Sequence, residues 1–308
     1  MPQHSKRLYL IMLVLLGLFS TVAAQTSTPT PAPAEATAEV TAETTPEATA
    51  ESTAEVAVVE LLQPEVIATT PHDTGAWTEG LLLVDDFLYE SVGENGKSDI
   101  RKVDPATGEI VQQFKMKDED YAEGLALVGD RFIQLTWEQE IAYIYDRETF
   151  EQVGTFTYEG EGWGLAYDGE YLWMSNGSGT LYKRDPETFE VVEEVPVTLH
   201  GLPIEGVVAG GRSLGEINEL EVVGDEIYAN IWPITFALRI NKHTGEVTGI
   251  IDGSQLLTAD APVDPAARNY FNGIAYKADT DTFLVTGKYW PYVFEVTWNV
   301  IGELPPIQ

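Results

Sequence analysis

The chain has 308 residues, 50 of them acidic against 17 basic, for a formal net charge of −33, and it contains no cysteine. A field of that sign repels phosphate backbones and anionic lipid, which excludes nucleic acid and charged membrane surfaces as partners. The missing cysteines exclude disulfides, thiol nucleophiles and a lipid-anchored cysteine, and leave stability to packing.

Residues 1–24 have the layout of a secretory signal. His4, Lys6 and Arg7 precede an apolar run over 8–19, and Val22-Ala23-Ala24 offers small residues for cleavage. The run is shorter than the roughly 20 residues a membrane-spanning helix needs. An exported protein is expected, secreted, periplasmic or tethered at the cell surface, with no membrane insertion of the mature domain. Residues 25–57 are almost wholly Thr, Ala, Pro, Glu and Ser. They hold too little apolar bulk to offset the entropy of ordering, and are expected to be a disordered linker before a folded domain over 58–308.

A short strand candidate at 65–69 has no partner nearby in sequence. Five variants of one phrase then begin at Glu79-Gly80, Glu123-Gly124, Trp163-Gly164, Asn218-Glu219 and Asn272-Gly273. Each runs through an apolar strand, a turn, and a second strand rich in aromatic and β-branched residues. Third strands are predicted at 98–103, 141–145, 180–183 and 236–240. They end at the related turns that start with Asp104, Asp146, Asp185 and Asn241, where an Asp or Asn side chain bonds its own backbone. A fourth strand follows each turn.

Four antiparallel strands in about 40 residues, repeated without helical periodicity, predict an all-β, five-bladed β-propeller. The fifth copy has three strands of its own. The candidate at 65–69 is expected to complete that blade and close the ring, removing exposed edges. Two longer spacings, holding residues 201–215 and 254–270, read as insertion loops on one face.

In such a fold equivalent positions form rings around the axis. The phrase starts give Glu79, Glu123, Trp163, Asn218 and Asn272; the ends of the second strands give Gly93, Trp137, Gly177, Trp232 and Lys288. Both rings are expected at one face. A merely architectural position would repeat one residue type, whereas these hold carboxylates, amides, indoles and a lysine. No Ser or Cys stands beside a His in the repeat positions, and the four histidines show no ligand spacing, so no metal and no cofactor is expected. Asp and Glu alone leave weak calcium binding open. What remains is a carboxylate in an aromatic box with donors close by. Indoles desolvate it and suit it to general acid/base work, while the lysine and amides can stabilise an oxyanion. The same box also suits a non-catalytic module that binds an amine or a peptide N-terminus. A calcium-dependent propeller hydrolase is a third option.

The phrases Thr78-Glu79-Gly80-Leu81, Glu123-Gly124-Leu125, Leu135-Thr136-Trp137, Gly162-Trp163-Gly164-Leu165, Asn218-Glu219-Leu220-Glu221, Tyr228-Ala229-Asn230-Ile231-Trp232, Asn272-Gly273-Ile274-Ala275-Tyr276 and Thr286-Gly287-Lys288-Tyr289-Trp290-Pro291 resemble, in this order, the plant-type and bacterial glutaminyl-peptide cyclotransferases. The resemblance spans residues 70–296. It implies a five-bladed propeller that cyclises an N-terminal glutamine of a peptide or protein to pyroglutamate, releasing ammonia without a metal; separately from the resemblance, a monomer is expected. Carried over by motif, Glu123 would be the general acid/base, with Lys288 and Asn218 holding the substrate and its developing oxyanion. Trp137, Trp163 and Trp232 would wall the pocket, and Glu79, Trp77, Tyr121 and Asn272 would line it. Family members often carry Gln where Glu79 stands, and Phe at the positions of Trp77 and Tyr121.

Overall fold

A computed structural model describes residues 58–209, 211–256 and 270–305. The expected signal and linker lie outside the described residues, as does most of the second expected insertion. After β1 (Val59–Pro71) the first repeat comprises β2 (Thr78–Val84), β3 (Phe87–Val92), β4 (Asp99–Val103) and β5 (Ile110–Lys115). The second comprises β6 (Ala122–Val128), β7 (Arg131–Thr136), β8 (Ile141–Asp146) and β9 (Gln152–Thr157). In the third are β10 (Leu165–Tyr167), β11 (Leu172–Met174), β12 (Thr180–Arg184) and β13 (Val191–Pro196). An insertion follows with two small hairpins, β14 (Thr198–Leu199) with β15 (Leu202–Pro203) and β16 (Val208–Ala209) with β17 (Arg212–Ser213). It also carries the 3₁₀ turn Ile204–Gly206, the one helical element among the described residues. The fourth repeat is β18 (Ile217–Val223), β19 (Glu226–Ile231), β20 (Phe236–Asn241) and β21 (Val247–Asp252), and the last is β22 (Phe271–Lys277), β23 (Thr282–Gly287) and β24 (Tyr292–Leu304).

Each of the first three repeats is a separate antiparallel sheet in sequence order, and the others share one sheet ordered β18-β19-β20-β21-β1-β24-β23-β22. As expected, β1 supplies the fourth strand of the last repeat, pairing antiparallel with β24 from Val59 opposite Leu304 to Pro71 opposite Tyr292. It is longer than the short strand predicted. Its first residues also pair in parallel with β21, over Glu60 to Leu62 against Gly249 to Ile251. That second pairing ties the last two repeats into one sheet.

Burial grades across each repeat. First strands such as β6 are buried almost throughout, whereas fourth strands such as β5 and β13 are mostly exposed. The first strands lie side by side in the order β2, β6, β10, β18, β22, and β22 packs back against β2. Glycine permits that approach, because a Cβ at Gly124 or Gly164 would collide with the neighbouring first strand's backbone. The fourth repeat has Glu219 at this position. Its carboxylate accepts the backbone N–H groups of Leu81 (3.3 Å) and Ile274 (3.0 Å), bridging to two other first strands.

The predicted turns form as the side chains dictate. Asp146 Oδ1 accepts the N–H groups of Glu148 and Thr149, and Asp185 and Asn241 do the same in theirs. Each turn closes in the left-handed region, at Gly108 (φ 73°), Phe150 (58°), Phe189 (63°) and Gly245 (70°). The two phenylalanines hold a conformation that favours glycine. Their rings are buried in the core, Phe150 against Tyr89 and Phe132, Phe189 stacked on Phe156, which offsets the strain.

Candidate active site

Regular strands would point alternate side chains to alternate sheet faces. The phrase starts break that alternation. Pairing is irregular between Thr78 and Gly80 in β2, Ala122 and Leu125 in β6, Ile217 and Leu220 in β18, and Phe271 and Ile274 in β22. Glu79, Glu123, Asn218 and Asn272 all fall inside those irregularities, which re-aim a side chain locally. In the third repeat Trp163 stands just before β10 begins at Leu165.

Two carboxyl groups and an ammonium meet at the centre. Glu79 is ion-paired through Oε2 with Lys288 Nζ, and both side chains are buried. Asn272 Nδ2 donates to the same oxygen at 3.3 Å and to the Thr78 carbonyl at 2.8 Å. Tyr121 OH donates to Oε1 at 3.5 Å, the long limit of a hydrogen bond. The Trp77 indole and the Glu123 carboxyl also stand beside Glu79, close enough for each to influence its charge. Burial pushes the Glu123 carboxyl well above the usual carboxylate range; the adjacent Glu79 charge adds to that and Lys288 opposes it. Glu79 is pushed up by burial too, and held back by Lys288, by Trp77 and by the Glu123 contact. Two adjacent carboxyls beside one cation disfavour double ionisation, and the ion pair with Lys288 favours the charge on Glu79.

Aromatic side chains enclose this trio. Lys288 Nζ lies 4.9 Å from the Trp77 ring centre and 5.0 Å from that of Trp232, a cation against two adjoining indoles. Trp77 meets Trp232 edge-on at 6.0 Å, and Tyr121 meets Trp137 at 5.6 Å. Trp163 joins through Glu161, whose Oε2 accepts the indole N–H groups of both Trp137 and Trp163 at 2.9 Å. The glycines of the second ring make room for these groups. A Cβ at Gly93 would collide with Tyr121 and Glu79, and one at Gly177 with the Trp163 ring.

Nine of the ten residues expected at the site are thus linked by contacts: Glu79, Glu123, Lys288, Asn272, Trp77, Tyr121, Trp137, Trp163 and Trp232. Asn218 is buried with its Oδ1 unpartnered, while its backbone carbonyl accepts Ser175 Oγ at 2.7 Å. An unpaired buried amide oxygen is a costly group that a ligand can satisfy. Sequence reasoning missed Tyr270, which packs on Trp232 at 4.4 Å, Tyr289, which packs on Trp77 at 5.0 Å, and Glu161. A signal for two of them was available. Tyr270 and Glu161 stand two positions before Asn272 and Trp163, as Trp77 and Tyr121 stand two before Glu79 and Glu123.

A second polar network lies beside the site. Glu90 accepts Thr78 Oγ1 at 2.6 Å and pairs with His72 Nε2 at 3.0 Å, and His72 Nδ1 donates to the Trp290 carbonyl at 2.7 Å. Arg101 is held bidentate by Asp99 and singly by Asp73. Thr78 therefore serves both networks, its hydroxyl on Glu90 and its carbonyl on Asn272. Among the described residues no cluster of His, Asp and Glu has the geometry of a metal site.

Residues 36–298 match the family model described as glutamine cyclotransferase. A glutaminyl-peptide cyclotransferase of Arabidopsis thaliana is 36% identical over 234 residues, covering 75% of this chain and 70% of that protein. The crystal structure of a glutaminyl cyclase from Myxococcus xanthus superposes with a TM-score of 0.70 at 32% identity, covering 79% of this chain and 100% of that one.

Proposed function

The chain belongs to the glutamine cyclotransferase family, and from that premise we infer that it is a glutaminyl-peptide cyclotransferase acting on an N-terminal glutamine of a peptide or protein. The α-amine attacks the side-chain amide carbon, a C–N bond forms to close the pyroglutamyl ring, and the amide nitrogen leaves as ammonia. The attacking nitrogen must lose a proton and the departing one must gain a proton. The observation that carries this reading is the buried Glu123, its carboxyl pushed well above the usual range by burial, beside the Glu79–Lys288 ion pair and its aromatic enclosure. A carboxyl poised towards neutral pH is suited to proton transfer in this reaction. Asn218 and Lys288 are the donors placed for the substrate and the oxyanion. The indoles of Trp137, Trp163 and Trp232 keep water from the ring-closing step and pack against the glutaminyl side chain.

The five groups of four strands, with first strands adjacent in cyclic order, support a five-bladed propeller closed by β1. Export by the segment over 1–24, with 25–57 as a linker and the propeller acting as a monomer, completes the proposal. The test is ammonia release from a glutaminyl dipeptide, with and without a strong chelator. Release is expected in both, and Glu123→Gln is expected to lower kcat by about 10²–10⁴-fold with the fold intact. A folded wild-type protein that binds glutaminyl peptides without releasing ammonia would instead be the binding module.

A further inference from the structure

Resting on that cyclotransferase reading, we propose that Glu79 is a second catalytic carboxylate: it takes the proton of the attacking amine while Glu123 gives a proton to the departing amide nitrogen. The two oxygens of Glu79 are unequally occupied. Oε2 carries Lys288 and Asn272, whereas Oε1 faces the Tyr121 hydroxyl at 3.5 Å. Lys288 thus holds Glu79 as the charged member of the pair, and Oε1 is the oxygen left to accept a proton. Glu123 is buried with no ion pair of its own among the described residues, and it lies beside the Glu79 carboxyl. A group held protonated cannot open the reaction as a base, but it can open it as an acid.

The proton balance closes without another reactant. As the C–N bond forms, the amine proton passes to Glu79; as the bond to the departing nitrogen breaks, the Glu123 proton passes to ammonia. The direct contact between the carboxyls then returns the proton from Glu79 to Glu123, and the pair is reset. Other ionisable groups facing the pair are Tyr121, Glu161, Tyr158 and Glu219. All are neutral or anionic, so Lys288 is the cation that decides which carboxyl is charged.

This division of roles inverts a pH profile. Wild-type turnover needs Glu123 protonated, so kcat falls about tenfold per unit as pH rises past its titration. In Glu79→Gln, Lys288 is free to pair with Glu123, which must then start as a carboxylate and do both proton steps. That variant is expected to lose activity as pH falls through the Glu123 titration and to lack the falling alkaline limb. Superimposable wild-type and Glu79→Gln profiles would overturn the proposal. An infrared pH titration of the full-length protein needs no turnover and covers a variant that folds poorly. The wild type is expected to show carboxylic-acid absorption at neutral pH, part of which Glu123→Gln removes while buried groups such as Glu219 and Glu221 keep the rest; a spectrum unchanged by Glu123→Gln overturns the proposal. If the wild type releases no ammonia at any pH, the cyclotransferase reading has failed, and the infrared bands still decide where the proton lies.

Discussion

Glu123 and Glu90 are both buried glutamates within one repeat of each other, and their surroundings drive them in opposite directions. Glu123 is pushed well above the carboxylate range, by burial first and by the Glu79 charge second. Glu90 is pulled below its ordinary value although burial opposes this, because His72, Arg101 and Thr78 all favour its charged form. Burial sets a penalty on charge in both places. The sign of the outcome is set by what fills the remaining volume. At the mouth, two carboxyls share one lysine; at the side, Glu90, Asp99 and Asp73 face an arginine and a histidine bonded at both nitrogens. The first region keeps a proton to give away, and the second has nothing left to exchange. Thr78 joins them, so the satisfied network holds the backbone on which the unsatisfied one is mounted.

The largest way to break this contrast is to take the cation from the mouth. Lys288→Met keeps the side-chain length and removes the charge that holds Glu79 ionised. Both carboxyls then favour protonation, and the indoles of Trp77 and Trp232 lose the ammonium beside them. We expect kcat/KM on a glutaminyl peptide to fall by about 10²–10³-fold, the effect typical of removing a donor from a developing oxyanion. A loss below tenfold would mean that Glu79 is held charged by its neutral donors alone.

The opposite change is to neutralise the second network. Glu90→Gln leaves His72 and Arg101 buried with one carboxylate fewer, and breaking such a buried pair costs about 3–5 kcal/mol. Chemical denaturation should show that loss, while kcat of the protein that remains folded stays within a few-fold of wild type. The effect has a pH window. His72 is raised above its ordinary 6.5, so its contribution is complete below 6.5 and is lost as pH rises through the folded-state value. Glu90 is lowered below its ordinary 4.5, so its contribution is complete above 4.5 and is lost as pH falls through the folded-state value. The destabilisation by Glu90→Gln is therefore expected to be greatest between about pH 4.5 and 6.5. An equal loss at every pH would assign the network's role to shape alone.

The two regions were unequally legible in the sequence. The mouth could be read because repetition aligns it: five phrases put Glu79, Glu123, Trp163, Asn218 and Asn272 at one register, and the irregular pairing there is what makes those positions converge. The network around Glu90 has no such register. His72 precedes the first repeat, Glu90 lies within a second strand and Trp290 follows the last second strand, so only the folded chain brings them together. Strand existence and turns were equally readable, because Asp146, Asp185 and Asn241 write the turn into the side chain. The parallel seam between β1 and β21 was not, since nothing local in Glu60 to Leu62 distinguishes an edge that is paired once from one paired twice. Glu161 and Tyr270 lie two residues before the ring position, outside the register that the repeated phrases align.

Glu161 also supplies the finest test of the contrast. It is exposed, its carboxylate accepts both indole N–H groups, and its charge raises the Glu123 carboxyl less than burial or the Glu79 charge does. Glu161→Gln keeps an oxygen for the two indole N–H groups and removes only the charge. If burial and the Glu79 contact govern Glu123, this exposed carboxylate acts through water and is screened over about 10 Å at 0.1 M salt. The Glu123 limb of the kcat profile should then move down by a few tenths of a pH unit at low ionic strength, and the shift should vanish in about 0.5 M salt. A shift of a full unit that survives salt would place Glu123 under the control of the mouth's outer charges. The difference between Glu123 and Glu90 would then reflect the protein's overall acidity as well as the partners each carboxyl touches.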